Sequence, residues 1–252
     1  MTTTATTESS LSSKYQKMTD LEHILKKPDT YIGSIQLTEC TEYTALSAAT
    51  GSGTSAAEGV NIGLATFTHI PALYKLVDEG LVNMRDHVIR QAQAIKDGKP
   101  DALPVTCIEV EVDAATGIVT MTNDGNGIDI AQHPEHKMWI PEMIFGHLRT
   151  STNYAEDKKE KIVGGKNGFG FKLVLVWSTW GSVETVDHVR GLKYVQEFKN
   201  NLTEICAPKI TKCASKKPYT RISFRPDYAR LGIAEGNVLI IMFAFKIFGI
   251  NW

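Results

Sequence analysis

Glu79 and Asn83 stand four residues apart in a run whose apolar residues recur at helical spacing, so a carboxylate and a carboxamide share one helix face. Phosphoryl transfer needs that chemistry: a carboxylate to orient or deprotonate the attacking water, and an amide oxygen to join the octahedral shell of Mg²⁺. Asp86 extends the same stripe, within roughly 60° of the other two at about 100° per residue, where it either buttresses the turn or faces water. Asn123-Asp-Gly-Asn-Gly127 is a second element; its glycines let the backbone turn sharply against a flat ligand, and Asn123 offers the donor and acceptor that suit a purine edge. The third is Gly164-Gly-Lys-Asn-Gly-Phe-Gly170 ahead of an apolar helix, where successive main-chain N–H groups suit an anion. Its spacing is neither Walker A nor GxGxxG, because Lys172 follows the glycines with no hydroxyl behind it. Taken singly, the first two segments read more simply as a solvated helix face and a β-turn, and the third is as readily a surface loop. Together they hold a general base, a metal ligand, a base-reading side chain and a phosphate cradle, the parts of a nucleotide triphosphatase.

Two nearby segments are ambiguous. Thr150-Ser-Thr-Asn-Tyr154 brings hydroxyls and an amide that either meet ribose and phosphate oxygens or simply cap and turn. His133-Pro-Glu-His136 has no third ligand near it and reads as surface loop.

The elements that must position these residues follow from periodicity. Leu73, Leu76, Val77, Leu81, Met84 and Val88 mark one face of a helix, with Gly80 inside the packed stripe, which implies close approach by another backbone. Thr106–Val112 alternates as a strand, Ala114–Gly117 turns, and Ile118–Thr122 returns as a second strand running into Asn123. Leu21–Leu25 reads as a short helix ended by Pro28, with Asp29–Ser34 a turn-rich segment; residues 46–60 and 155–161 read as loops. Residues 141–148 and Lys172–Trp177 read as helices, and Ser182–Val186, Leu192–Phe198 and Tyr219–Arg225 as strands. Helices interleaved with hairpins predict an α+β fold, a two-layer sandwich of a mixed β-sheet with helices on one face.

Composition sets bounds. The 252 residues are 42% hydrophobic and 22% charged, enough for a sizeable core, and the formal net charge of −1 lacks the footprint of an autonomous nucleic-acid binder. Cys40, Cys107, Cys206 and Cys213 form no CxxC pair, which favours a reducing, intracellular compartment over a disulfide scaffold. Residues 1–18 are Thr/Ser-rich, read as a disordered lead, and have no apolar core of a signal peptide. The apolar run Val238–Trp252 is too short for a spanning helix and is interrupted by Lys246.

The motifs, in this order, resemble the Bergerat-fold (GHKL) ATPases, and within them the type IIA DNA topoisomerases of the eukaryotic topoisomerase II kind, including relatives in large DNA viruses. The resemblance is carried by Leu21–Leu25 with Pro28-Asp-Thr-Tyr-Ile-Gly-Ser34, by Leu73–Glu79 with Leu81–Asn83, by Ile144–Gly146, Thr150–Tyr154 and Gly164–Gly170, and by Ile222-Ser-Phe-Arg-Pro-Asp227, across roughly residues 14–232. It implies that Glu79 is the general base, that Asn83 binds Mg²⁺, that Asn123 reads the adenine, and that Asp86 and Ile128 line the nucleotide. It further implies that Ser151, Thr152 and Asn153 contact sugar and phosphate, while Gly164, Gly165, Lys166, Asn167, Gly168, Phe169, Gly170 and Lys172 wrap the triphosphate. Tyr31, on an arm spanning 19–34, would cross to the nucleotide of a second protomer, since such domains form a homodimer on binding ATP. The ATPase domain itself would span 35–232, and 233–252 would begin a transducer domain or form a divergent end. Double-stranded DNA would be engaged through the full-length enzyme, in the nucleus or a viral replication compartment, with no membrane involved. A non-catalytic, ATP-dependent dimerisation module is the alternative. Against the family pattern, Gly80 replaces a larger aliphatic residue, Met84-Arg85 replaces two small ones, and Asp129 stands where Pro is usual.

Overall fold

A computed structural model describes residues 17–46, 61–113, 115–148, 170–215 and 217–234. Ser151, Thr152, Asn153 and Gly164 to Phe169 lie outside the described residues, as do the lead and the apolar tail. The chain opens with α1 (Asp20–Lys26), capped by a reciprocal Thr19–Glu22 box, and α2 (Pro28–Tyr31). Pro28 thus begins a helix as well as ending one, because its fixed φ and missing N–H suit the first turn. A two-stranded ribbon follows, β1 (Thr38–Leu46) against β2 (Asn61–His69). Its alternation of Thr with Tyr, Leu and Phe was the overlooked strand signal in the sequence.

The long helix α3 (Pro71–Lys96) carries the expected stripe, with Leu73, Leu76, Val77, Gly80 and Met84 buried. A sheet then builds from β3 (Ile108–Asp113), β4 (Ile118–Asp124), β5 (Ser178–Asp187), β6 (Leu192–Lys199), β7 (Glu204–Ile205), β8 (Lys209–Lys212) and β9 (Tyr219–Pro226). Its order is β3-β4-β9-β5-β6-β7, with β8 also on β6, so the last strand inserts between β4 and β5. The α+β sandwich is as expected, and every ladder between described strands is antiparallel. β3 starts two residues later than its sequence pattern suggests, because the Thr106 and Cys107 N–H groups donate instead to Asp124 Oδ1 (2.7 and 2.8 Å).

Helices α4 (Ile140–Gly146) and α5 (Gly170–Val176) complete the second layer. α5 is buried at Phe171 through Val176, the signature of a helix inside a core rather than on its surface. Phe171 meets Phe145 and Phe224 edge to face, with ring centroids 5.9 and 5.8 Å apart. Gly80 of α3 lies over the same spot, and a Cβ there would come 2.2 Å from Met121 Sδ and 3.3 Å from Phe171. The sequence reading expected a backbone at that contact; the neighbour is the Met121 side chain of β4. The sheet's inner face packs on these helices through Val119, Met121, Val183, Phe198 and Phe224. Its outer face is polar, as Thr120 and Ser223 hydroxyls pair at 2.9 Å and Arg221 Nε donates to Thr122 Oγ1 at 3.2 Å.

The turn after β3 is pinned from just beyond β9, the strand paired with β4, where buried Tyr228 donates its hydroxyl to Gly117 O at 2.6 Å. Tyr228→Phe leaves that carbonyl without its donor, and urea unfolding should show a loss of about 1–2 kcal/mol; an unchanged midpoint would mean the contact contributes nothing to the turn.

Candidate active site

Helix α3 and strand β4 lie side by side, and their contact at Gly80 and Met121 sets the register of everything beyond it. The polar stripe begins one residue before Gly80, at Glu79. Glu79 is largely covered, with 18% of its side chain exposed, and Lys75 one turn earlier holds Oε1 with its Nζ at 2.8 Å. The same ammonium lies 2.8 Å from Asp78 Oδ2. Burial works to lower the Lys75 pKa, but the hydrogen bonds to Asp78 and Glu79 outweigh it and the net shift is upward. The other Glu79 oxygen, Oε2, faces Gly170: a Cβ there would lie 3.6 Å from it and 3.7 Å from Asn83 Nδ2. The first residue of α5 therefore presents bare backbone to the carboxylate–carboxamide pair, and a side chain longer than a methyl would fill the space over them. Asn83 Nδ2 donates to Glu79 O at 2.6 Å, which commits its donor end and leaves Oδ1 as the acceptor a hard cation takes.

Asp86, which the sequence left equally able to buttress or to be solvated, is buried at 1% exposure, with Arg85 Nη1 3.9 Å from its Oδ1. Arg85 itself is exposed. Lys172 is buried at 4% exposure, and burial pushes its ammonium pKa down to about 8. Tyr31 packs against the core on its own chain, its hydroxyl 2.9 Å from His23 Nδ1.

Asn123, the penultimate residue of β4, is buried on the inner face and donates Nδ2 to Asp124 O at 2.8 Å. The turn that follows is fastened to β5. Gly127 passes so close that a Cβ would sit 2.0 Å from Val186 O, so only glycine fits. Ile128 N donates to Thr185 Oγ1 at 2.9 Å and Ile130 N to Asp187 Oδ2 at 3.0 Å. Arg190 spans Asp129 and Asp187 at 2.5 and 2.8 Å, so Asp129 closes an ion pair where a Pro would have none. On the opposite side, His87 of α3 hydrogen-bonds the Asn126 main chain, and its pKa is lowered, chiefly by burial.

Glu79, Asn83 and Gly170 are thus brought together by α3 and α5, while Asn123 and Ile128 sit on β4 and the turn that follows it, and Lys172 is buried within α5. The sequence reading missed Thr185 and Thr220, whose buried hydroxyls meet at 3.0 Å; Thr220 stands opposite both Asn123 and Thr185 across the strand ladders. Only the strand register could have pointed to them. Lys75 was visible as the residue one turn before Glu79. A shallow trough of about 700 Å³ on the outer face, lined by Glu109, Glu111, Thr122 and Arg221 among others, contains none of the site residues and is an open groove on a polar sheet.

An α+β sandwich with a carboxylate–carboxamide pair on a long helix, facing the glycine that opens α5, matches the GHKL class of ATPase. The 43K ATPase domain of Thermus thermophilus gyrase B, at TM-score 0.52 and 20% identity, shares this fold over 87% of the chain and 43% of its own. The chain belongs to the DNA topoisomerase 2 family, within the part that forms its ATPase region. It is 44% identical over 219 residues to DNA topoisomerase 2 of Candida albicans and 42% identical over 226 residues to that of Acanthamoeba polyphaga mimivirus, covering 87% and 89% of this chain. The solved ATPase region of Saccharomyces cerevisiae topoisomerase II superposes with a TM-score of 0.76 at 38% identity, over 92% of this chain and 56% of that one. The chain spans only 14% and 16% of the length of the first two relatives. No protein-family model matches it. No helix among the described residues is long and apolar enough to cross a membrane.

The Lys172 shift fixes a pH dependence. A lysine whose folded pKa is about 8 against an ordinary 10.5 is penalised by folding while charged. That penalty is complete below pH 8 and fades as pH rises to about 10.5, so this group adds stability with rising pH across that window. Lys172→Met removes the dependence; wild type should gain about 2 kcal/mol on the variant between pH 8 and 10.5 in urea unfolding, and parallel profiles would show that the ammonium is not desolvated.

Proposed function

We propose that this chain binds and hydrolyses ATP with Mg²⁺, as the N-terminal gate of a type II DNA topoisomerase. The observation that carries the reading is the convergence of Glu79 Oε2, the Asn83 carboxamide and the Gly170 backbone on one space. Glu79 is the general base: with Oε1 held by Lys75, Oε2 accepts a proton from the attacking water. Among the described residues no group of three or more His, Cys, Asp and Glu converges. The donor set therefore suits a hard cation that takes one protein oxygen, Asn83 Oδ1, and completes its shell from phosphates and water. The chemistry Mg²⁺ supplies when bound there is to offset the charge on the phosphate oxygens.

Lys172, buried in α5, contributes a desolvated cation suited to a phosphate oxygen, with the segment 164–169 and Ser151 to Asn153 as further nucleotide contacts. Asn123 reads the adenine from β4, opposite Thr220 in the ladder and ahead of the turn fastened through Ile128, while buried Asp86 supports the helix. ATP binding drives two copies together through the arm at 19–34, with Tyr31 leaving His23 to reach the partner's nucleotide. Strand passage and DNA contact belong to the longer enzyme, in the nucleus or a viral replication compartment.

Two measurements test this. Glu79→Gln should lower ATP turnover at least about 100-fold while a non-hydrolysable analogue binds as before; equal phosphate release by both proteins sinks the assignment. Sizing by light scattering should show a dimer only with the analogue, and a monomer once residues 1–34 are removed; a dimer that ignores nucleotide contradicts the gate.

A further inference from the structure

The ion pair between Lys75 and Glu79 has a role in the site beyond the helix that carries it. A glutamate side chain rotates about three torsions, and beside phosphates a carboxylate is driven away by like charge. Here one oxygen is tied at 2.8 Å to an ammonium on its own helix, and the other faces Gly170. The ammonium is itself fixed, 2.8 Å from Asp78 Oδ2, so three side chains one turn apart form a chain that ends at Glu79. Lys75 is 37% exposed, and ion pairs so open to water contribute little to stability. The consequence of the contact is where it puts the carboxylate.

We propose that Lys75 is a positioning residue for hydrolysis, holding Glu79 Oε1 so that Oε2 points at the reacting phosphate, with Asp78 aligning Lys75. This rests on the reading of Glu79 as general base. Because the ammonium also offsets the carboxylate's charge, Glu79 stays beside the triphosphate without repelling it.

The test compares Lys75→Met, Lys75→Arg, Asp78→Asn and Glu79→Gln in the whole chain, by steady-state turnover with Mg²⁺ and ATP and by binding of a non-hydrolysable analogue. Lys75→Met should lower kcat about tenfold with KM and analogue affinity within about threefold. Lys75→Arg should recover most of the loss, and Asp78→Asn should show a smaller fall in kcat. Unchanged kcat in Lys75→Met, or a fall matched by equal loss of analogue binding, overturns the role. If Glu79→Gln turns over like wild type, the general-base reading fails instead, and the two failures are distinct. A crystal structure of Lys75→Met decides the geometry independently of turnover: the Glu79 carboxylate should leave its place against Gly170, and a carboxylate still there overturns the proposal.

Discussion

The close approach of α3 to β4 and α5 at Gly80 governs the rest of the molecule. With no side chain at 80, the helix settles onto Met121 and the edge of the Phe171 ring, and Phe171 in turn locks against Phe145 and Phe224. That apolar knot determines that Gly170, one residue before Phe171, lands on Glu79 and Asn83, the polar neighbours of Gly80 on the helix. The chemistry is thus placed by packing: a stripe of buried aliphatic and aromatic side chains sets where Glu79, Asn83 and the Gly170 backbone meet. Glycine at 80 costs about 1 kcal/mol of helix propensity relative to Ala, and the contact it permits offsets that.

On the far side of the site, a different kind of constraint operates. The turn after Asn123 is held by hydrogen bonds to Thr185 and Asp187 of β5 and by the ion pair of Asp129 with Arg190 just beyond it. Gly127 lies so tightly on Val186 O that neither strand nor turn can shift alone. One wall of the site is therefore fixed by van der Waals contact and the other by polar satisfaction. In α5, Lys172 is a charge the fold buries at a cost to its own stability. Such a cost is common where a protein must meet an anion.

Much of this was legible in the sequence. The stripe from Leu73 to Met84 gives the helix, its phase gives the polar face of Glu79 and Asn83, and the alternation of Ile118 to Thr122 gives the strand that delivers Asn123. What could not be read were contacts between distant segments. Nothing local pairs Asn123 with Thr220 or Thr185 with Thr220, because β9 inserts between β4 and β5 only after nearly a hundred intervening residues. Nor does any spacing reveal that Asp86 is buried or that the partner of Gly80 is a methionine sulfur. The ribbon of β1 and β2 was missed because its Thr-rich alternation is weakly apolar, and the late start of β3 because an aspartate captures the Thr106 and Cys107 donors.

The most direct measurement is a crystal structure of the chain with Mg²⁺ and a non-hydrolysable ATP analogue. The adenine edge should lie at Asn123, the metal on Asn83 Oδ1 and the terminal phosphate facing Glu79 Oε2. An analogue seated elsewhere, such as the outer trough at Glu109 and Arg221, or a metal with no contact to Asn83, would contradict that placement.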